Sequence, residues 1–417
     1  MRLCASVIAI AVLSPLSAFA QEPPPGAPPA APAGAPPAAP AEAAPAAAPA
    51  AAPAPAAPAA SAAKWYDAVT VDGLVDSYYQ YNFSGANSLT PPIAGTPMVS
   101  AGSTVRSFDI ASNAFSLNYA KIGLGMAPAP VGFRLDMGYG QTGVIVNSTS
   151  QAGIGATGTN PYLVEQAFAS VVPVENFTVD FGKFDTSAGA EVIQSNKNWL
   201  YSRSILFSVI PLLHQGLRLS YVINKQLSVQ GSVVNGWNGT GVEPDFNAAK
   251  TFELQANYTA PMGLNAIVTS YIGKESVTSN NVGPASPNTR VLVDLVVAHT
   301  INNIGLNLNV DYLNDKGSGF DNLIGASLMG HLPVNDHFAA NARVEYVHNK
   351  VDIAAASTSV NFYEVTAGGS VPMGGHFEFR PELRFDGSNQ EVFNLTQMGA
   401  TPKKNQFTAT GAFLAYF

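Results

Sequence analysis

Phe377-Glu378-Phe379-Arg380-Pro381-Glu382-Leu383-Arg384-Phe385-Asp386 is apolar at every odd position and charged at every even one. Successive side chains of a β-strand point to opposite faces, so this segment is oily on one side and charged on the other. Soluble sandwich strands also alternate, but five consecutive charges on one face are unusual for them. Facing lipid, each charge would cost roughly 2–4 kcal/mol at mid-bilayer. The charges therefore face water, and the oily row faces either a protein core or a membrane.

The rest of the chain favours the membrane. From residue 64 onward, strand patterns of about ten residues recur, separated alternately by short turns and longer loops. The short turns are Ala127-Pro128-Ala129-Pro130, Pro173-Val174-Glu175-Asn176, Asn224-Lys225-Gln226, Pro261-Met262-Gly263, Asn302-Asn303, Pro333-Val334-Asn335-Asp336 and Pro372-Met373-Gly374-Gly375. With longer loops between them, this rhythm predicts an all-β fold: a transmembrane antiparallel barrel of about sixteen strands, short turns on the periplasmic rim and long loops outside. Ten residues tilted near 45° rise about 23 Å, close to the apolar band of about 25 Å.

Parity sorts the two faces. Val71, Val75, Tyr79, Tyr81 and Phe83 oppose Asp72, Asp76, Gln80 and Asn82, and Phe133, Leu135 and Met137 oppose Arg134 and Asp136. Phe252, Leu254 and Tyr258 oppose Glu253 and Asn257, and Leu306, Leu308, Val310 and Tyr312 oppose Asn307, Asn309 and Asp311. Aromatics at the ends of several rows fit an interface girdle. Segments 114–126 and 263–273 alternate poorly, and their register stays open. Pro381 lacks a ladder donor, so a bulge or a broken pair is expected beside it.

Residues 1–20 read as a cleaved secretory signal: Arg2, an apolar stretch, then Ala18-Phe19-Ala20 before Gln21. The single cysteine, Cys4, lies inside it, so the mature chain has no thiol for disulfides, thiolate metal sites or nucleophilic chemistry. Residues 21–63 are almost entirely Ala and Pro. Such an arm has nothing to bury and favours extended polyproline II, reaching on the order of 100 Å at about 3.1 Å per residue. It reads as a periplasmic spacer, with a tether to peptidoglycan as the sharper alternative. Residues 64–417 form the barrel.

Only 12% of the residues are charged and the net charge is −8, too acidic for a nucleic-acid binder. No run after the signal approaches the roughly 18–20 apolar residues of a transmembrane helix. The expected partners are outer-membrane lipid and small hydrophilic solutes or ions, with a homo-oligomer, a trimer for instance, left open.

The histidines do not form a metal site, and no cofactor is expected. His299, His331, His337 and His376 fall beside the short turns, so rim positions are expected for them. His214 and His348 fall towards the other rim, where His348 with Glu345 or Asp352 is the weak candidate for a barrel hydrolase. Gly153-Ile154-Gly155-Ala156-Thr157-Gly158 matches the dinucleotide fingerprint in letters only. The segment after it begins with Pro161 and a strand, not a helix, so it reads as a loop.

The third long loop, 186–212, differs in kind from the others. Trp199, Tyr201, Leu200 and Phe207 are mixed there with Glu191, Lys197 and Arg203. One reading folds this loop into the lumen as a constriction, with Glu191, Lys197, Trp199, Tyr201 and Arg203 as its candidate residues; the other packs it on neighbouring loops or a second subunit.

Taken together, the chain resembles the OmpL-like β-barrel porin family. The resemblance rests on Val71-Asp72-Gly73, Tyr78-Tyr79, Phe133-Arg134-Leu135-Asp136, Val164-Glu165-Gln166-Ala167, Phe181-Gly182-Lys183-Phe184, Ala188-Gly189-Ala190-Glu191, Asn198-Trp199, Tyr201-Ser202-Arg203-Ser204 and Asn235-Gly236-Trp237. It covers about 65–417 and implies an outer-membrane channel, without residue roles to carry over. The terminal Phe413-Leu414-Ala415-Tyr416-Phe417 likewise resembles the last strand of bacterial outer-membrane proteins.

The leading expectation is thus a passive diffusion channel in a Gram-negative outer membrane, not an enzyme. Its candidate pore lining is Arg134, Arg218, Arg343, Arg380 and Arg384 against Asp72, Asp76, Asp136, Glu253, Glu345, Glu378, Glu382 and Asp386. Acids outnumber bases in that set, which predicts a mild cation preference. A barrel hydrolase and a barrel-anchored tether or adhesin remain the alternatives.

Overall fold

The computed structural model describes residues 64–84, 106–149, 160–238, 249–275, 288–315, 320–353, 356–393 and 403–417. The expected signal segment, 1–20, the Ala/Pro-rich segment read as an arm, 21–63, and the 153–158 glycine motif lie outside them. A short 3-10 turn, Trp65–Ala68, leads into the strands. In chain order these are β1 (Val69–Asn82), β2 (Ala114–Met126), β3 (Val131–Tyr139), β4 (Tyr162–Val174), β5 (Phe177–Asp185), β6 (Leu213–Asn224), β7 (Leu227–Val234) and β8 (Thr251–Thr259). They continue as β9 (Asn265–Glu275), β10 (Asn288–Ile301), β11 (Ile304–Asp315), β12 (Phe320–Asn335), β13 (Phe338–Ile353), β14 (Ala356–Pro372), β15 (Phe377–Ser388) and β16 (Asn405–Tyr416).

Each strand pairs antiparallel with its chain neighbours, and β1 pairs with β16, so the sheet is a closed sixteen-stranded barrel. Closure leaves no edge whose N–H and C=O groups would face lipid unpaired. At the seam, Gly73 and Phe417 exchange backbone hydrogen bonds of 3.1 and 3.2 Å. A Cβ on Gly73 would stand 2.5 Å from the Phe417 ring. Glycine is what lets the terminal aromatic lie flat over the first strand.

The short turns fall where the sequence places them. Asn176 and Asn302 take left-handed φ values of 65° and 59°, a conformation asparagine tolerates in tight turns. The opposite rim departs from expectation, because not every connection there is long. Strands β12 to β14 extend so far that β13 ends at Ile353 and β14 begins at Ala356.

On β15 the opening segment behaves as read: Glu378, Arg380, Glu382, Arg384 and Asp386 are buried inside, while Phe377 and Leu383 are exposed outside. The β14–β15 pairing skips Gly369 and Ser370, opposite Pro381 and Arg380, and resumes in the same register. It is a broken pair, not a bulge, and on the other side Pro381 still stands opposite Gly411.

The two segments whose parity stayed open have different explanations. On β2 the register shifts between Asp76 and Ser77, leaving Asn118 as an extra residue. Phe115 and Leu117 face out before it, Ile122 faces out after it, and Asn118 and Tyr119 are both buried inside. A bulge adds one residue and switches the parity of everything beyond it. On β9 the ladder is regular, but Ile267 has the inward parity of Thr269 and Tyr271.

Candidate channel lumen

The loop 186–212 lies inside the barrel and is hydrogen-bonded to its wall on several sides. Thr186 N–H donates to Leu212 O at 2.9 Å, closing the base of the loop. Ser187 N–H donates to the Tyr271 hydroxyl at 3.2 Å, Gly189 N–H to Asp294 Oδ1 at 3.1 Å and Ala190 N–H to Asn309 Oδ1 at 3.3 Å. Gly189 has a φ of +89°, and a Cβ there would meet Ile210 Cδ1 at 2.5 Å, so the inward turn needs glycine twice over.

The loop then crosses to β13 and β15. Glu345 accepts from Ile205 N–H (2.6 Å) and Leu206 N–H (2.8 Å), and Glu382 accepts from Tyr201 N–H (2.9 Å) and Ser202 N–H (3.1 Å). Arg380 Nη1 donates to Ser195 O (2.6 Å) and Asn198 O (2.7 Å), Arg384 Nη1 to Arg203 O (2.5 Å) and Arg343 Nη1 to Ser202 O (2.8 Å). Wall carboxylates thus meet loop N–H groups, and wall guanidiniums meet loop carbonyls. A buried loop must satisfy its backbone somewhere, and charge-assisted bonds are the strong way to do it. Arg343 also pairs with the loop's Glu191 (2.9 Å), and ion pairs within the wall hold Arg343 to Glu364 (2.8 Å), Arg384 to Asp386 (2.7 Å) and Arg380 to Glu378 (2.8 Å).

A third set of contacts lies towards β1, β2 and β4. The Tyr201 hydroxyl donates to Asp76 Oδ1 at 2.9 Å and the Ser195 hydroxyl to Asp76 Oδ2 at 2.7 Å. Burial, and next the Asp76 carboxylate, push the Tyr201 phenol well above its ordinary value, which keeps it the donor. The bulge residue Asn118 bonds both Asp76 (2.8 Å) and Tyr201 (3.0 Å). A second bulge, at Glu165 on β4, turns that carboxylate inward to Gln194 and to the Tyr119 hydroxyl.

Arg203 serves the loop itself. It donates to Val192 O at 2.8 Å and Ile193 O at 2.6 Å, and its guanidinium lies over the Phe108 ring at 5.4 Å. Burial pulls its pKa below the ordinary arginine value against the opposing pull of Glu191 and Asp76. Trp199 stacks on His331 with ring centroids 5.4 Å apart. Lys197 is the exposed member of the five loop candidates.

Among the other candidate wall residues, Arg134 pairs with Asp72 (2.5 Å) and Asp136 (2.6 Å), and Arg218 with Asp180 (2.8 Å). These keep some water contact: the side chains of Arg134, Asp72 and Arg218 are 22%, 39% and 17% exposed. Glu253 instead is buried and accepts from Gln230 at 2.8 Å.

A family model described as "Putative beta-barrel porin-2, OmpL-like" matches residues 68–417. The chain belongs to this family. No curated protein sequence matches it. Three solved structures share the fold at low identity. The trimer form of OmpT, an outer membrane protein of Vibrio cholerae, has a TM-score of 0.51 and 12% identity over 84% of this chain and 99% of that one. OprB of Pseudomonas putida, at high pH, scores 0.52 with 12% identity over 84% and 94%. The outer membrane channel DcaP of Acinetobacter baumannii scores 0.50 with 10% identity over 84% and 97%. The protein is a porin-family barrel of the bacterial outer membrane.

Within this OmpL-like barrel, His348 and Glu345 do not meet, and the Asp352 side chain lies outside what the structure describes. Glu345 is buried inside, whereas His348 lies on the opposite, outward face of β13 with Asn361 Oδ1 2.7 Å away. His214 is buried and stacked on Tyr271 at 5.0 Å. His331 keeps its place beside the short turn and faces inward there, stacked on Trp199. Several lumen groups escaped the sequence reading: Lys121 and Glu165 sit on strands whose parity a bulge switches, and Asp180, Asp294 and Glu364 had strand parity as their only signal. Arg106 and Asp109 lie outside the strands, where no periodicity marks them; they form an ion pair, and Arg106 also reaches Asp386 at 3.4 Å.

Proposed function

We propose that this barrel is a passive diffusion channel for small hydrophilic solutes or ions, constricted by the loop 186–212 and mildly cation-preferring. The observation that carries the reading is the loop's placement: its backbone is bound to side chains of β10, β11, β13 and β15 across the lumen. A loop held at that level sets how wide the passage is, and its charges set what passes. Lys197, Asp72, Arg134 and Arg218 are among the water-accessible charges of the passage. Buried Glu191, Tyr201 and Arg203 hold the constriction in shape, and Trp199 anchors it on His331. The cation preference is supported by the acid excess of the inward residues taken together, buried ones included, although three of the four accessible charges just named are basic. Trimer formation belongs to the same reading, supported by the trimer form of the Vibrio cholerae neighbour.

Single-channel recording of the refolded protein tests this. Stepwise conductance should scale with electrolyte concentration and rise when Glu382→Gln and Arg380→Met together loosen the loop. In a potassium chloride gradient the reversal potential should carry the sign of cation selectivity. A wild type and a loosened variant that both carry no current overturn the channel reading, and clear anion selectivity overturns the ion preference.

A further inference from the structure

Two carboxylates of the wall face each other without a counter-ion. Asp294 on β10 and Asp311 on β11 are directly opposite in register, and both are 0% exposed. One amide nitrogen, Asn309 Nδ2, reaches both, at 2.6 Å from Asp294 Oδ2 and 3.3 Å from Asp311 Oδ1. Asp294 also accepts from Gly189 N–H of the inserted loop, and the two carboxyl groups lie within hydrogen-bond reach of each other. Among the described residues neither carboxylate pairs with a lysine or arginine. The nearby Glu345 adds negative charge, and Arg343 beside it is already engaged by Glu191 and Glu364.

Unsatisfied oxygen remains at this place. Asp311 Oδ2 is buried with no hydrogen-bond partner, and so is the hydroxyl of Ser327. Ser327 is 1% exposed and shares the inward face of β12, opposite Asn309 and diagonal to Asp311. An uncompensated buried charge is costly, and two of them joined through one neutral amide are more so. Ala190 N–H donates to Asn309 Oδ1, which holds the amide with its NH2 towards the carboxylates. The amide thus orients the pair from outside and leaves Asp311 Oδ2 as the oxygen with no donor of its own.

We propose that Asp294 and Asp311, with Ser327, form a binding site for a hard divalent cation of the calcium class, which ties the loop 186–212 to β10 and β11. Calcium takes roughly six to eight oxygen ligands at flexible geometry, so carboxylates, a hydroxyl and water suit it. Two carboxylates balance its charge, and through Gly189 its binding stiffens the loop's entry into the lumen. No spacing in the sequence announces the site, because its donors come from three strands.

The test is calorimetric titration of calcium chloride into the refolded full chain after chelator treatment, which reads binding whether or not the barrel conducts. One calcium per chain is expected. Asp311→Asn and Asp294→Asn should each weaken it by at least about tenfold, Ser327→Ala by less, and the distant Asp180→Asn not at all. Heat-modifiable mobility on gels shows which variants have folded; should the aspartate variants fail, Ser327→Ala decides. Absence of binding by the wild type, as when a proton holds the pair instead, overturns the proposal. So does equal binding by wild type and every folded variant of the site.

Discussion

At the scale of the residue, glycines and one tyrosine show how closely the lumen is fitted. A Cβ on Gly123 would stand 2.5 Å from Asp136 Oδ1 and 2.6 Å from Asp72 Oδ2, and would also strike Arg134. Gly123→Val therefore has to separate the Asp72–Arg134–Asp136 cluster. Overpacking of this kind typically costs about 1–3 kcal/mol. In urea titrations of the refolded barrel its midpoint should fall well below that of Gly330→Ala, whose Cβ finds its nearest atom at 4.0 Å. Equal midpoints would remove the argument. Tyr201→Phe should cost about 1 kcal/mol near neutral pH through the lost bond to Asp76. The folded phenol titrates above its ordinary value, so its contribution is complete below about pH 10. It declines as pH rises further, because the unfolded chain releases that proton first. The gap between wild type and Tyr201→Phe should accordingly hold constant up to about pH 10 and narrow as pH rises above it; a constant gap throughout would show that the hydroxyl does not carry the pH dependence.

At the scale of the element, alternation made β15 legible and left β2 unread for a physical reason. Period-two reading assumes one residue per rung, and Asn118 breaks that count. The same fault hid Glu165 as a lumen group on β4. Loop 186–212 was marked by its aromatics and charges, but not the partners of its backbone, since no local pattern pairs Glu345 with Ile205 or Arg380 with Asn198. The wall stripe of β15 thus has a second use that parity alone does not reveal, as the dock for that loop. Deleting Asn118 should leave β2 with a continuous ladder and unchanged faces, so the barrel still folds. What goes is the grip on Asp76 and Tyr201, so limited proteolysis should cut the loop near Lys197 faster than in the wild type. Deleting Ile122, which has no extra rung to absorb the loss, should instead turn part of β2 inside out and abolish heat-modifiable mobility. If both deletions behave alike, the bulge is not what sets the register.

At the scale of the whole molecule, the strand count and short turns were readable because each turn announces itself, whereas closure depends on residues at opposite ends of the chain. Gly73 and Phe417 are joined by two backbone bonds, and the ring of one lies over the missing side chain of the other. Until that pair forms, β1 and β16 are open edges whose polar groups cannot enter lipid cheaply. The seam is also made of the first and last strands, so its contacts are the longest-range in the barrel and pay the largest loop-closure entropy. Deleting Phe417 removes both bonds and the ring, and should lower the yield of heat-modifiable barrel in detergent several-fold. Phe417→Leu keeps the backbone bonds and an apolar side chain, so it should recover most of that yield. Gly73→Val leaves Phe417 present but denies its ring a place, and should resemble the deletion. If Gly73→Val folds like the wild type while the deletion fails, the terminal residue acts through something other than its fit on β1.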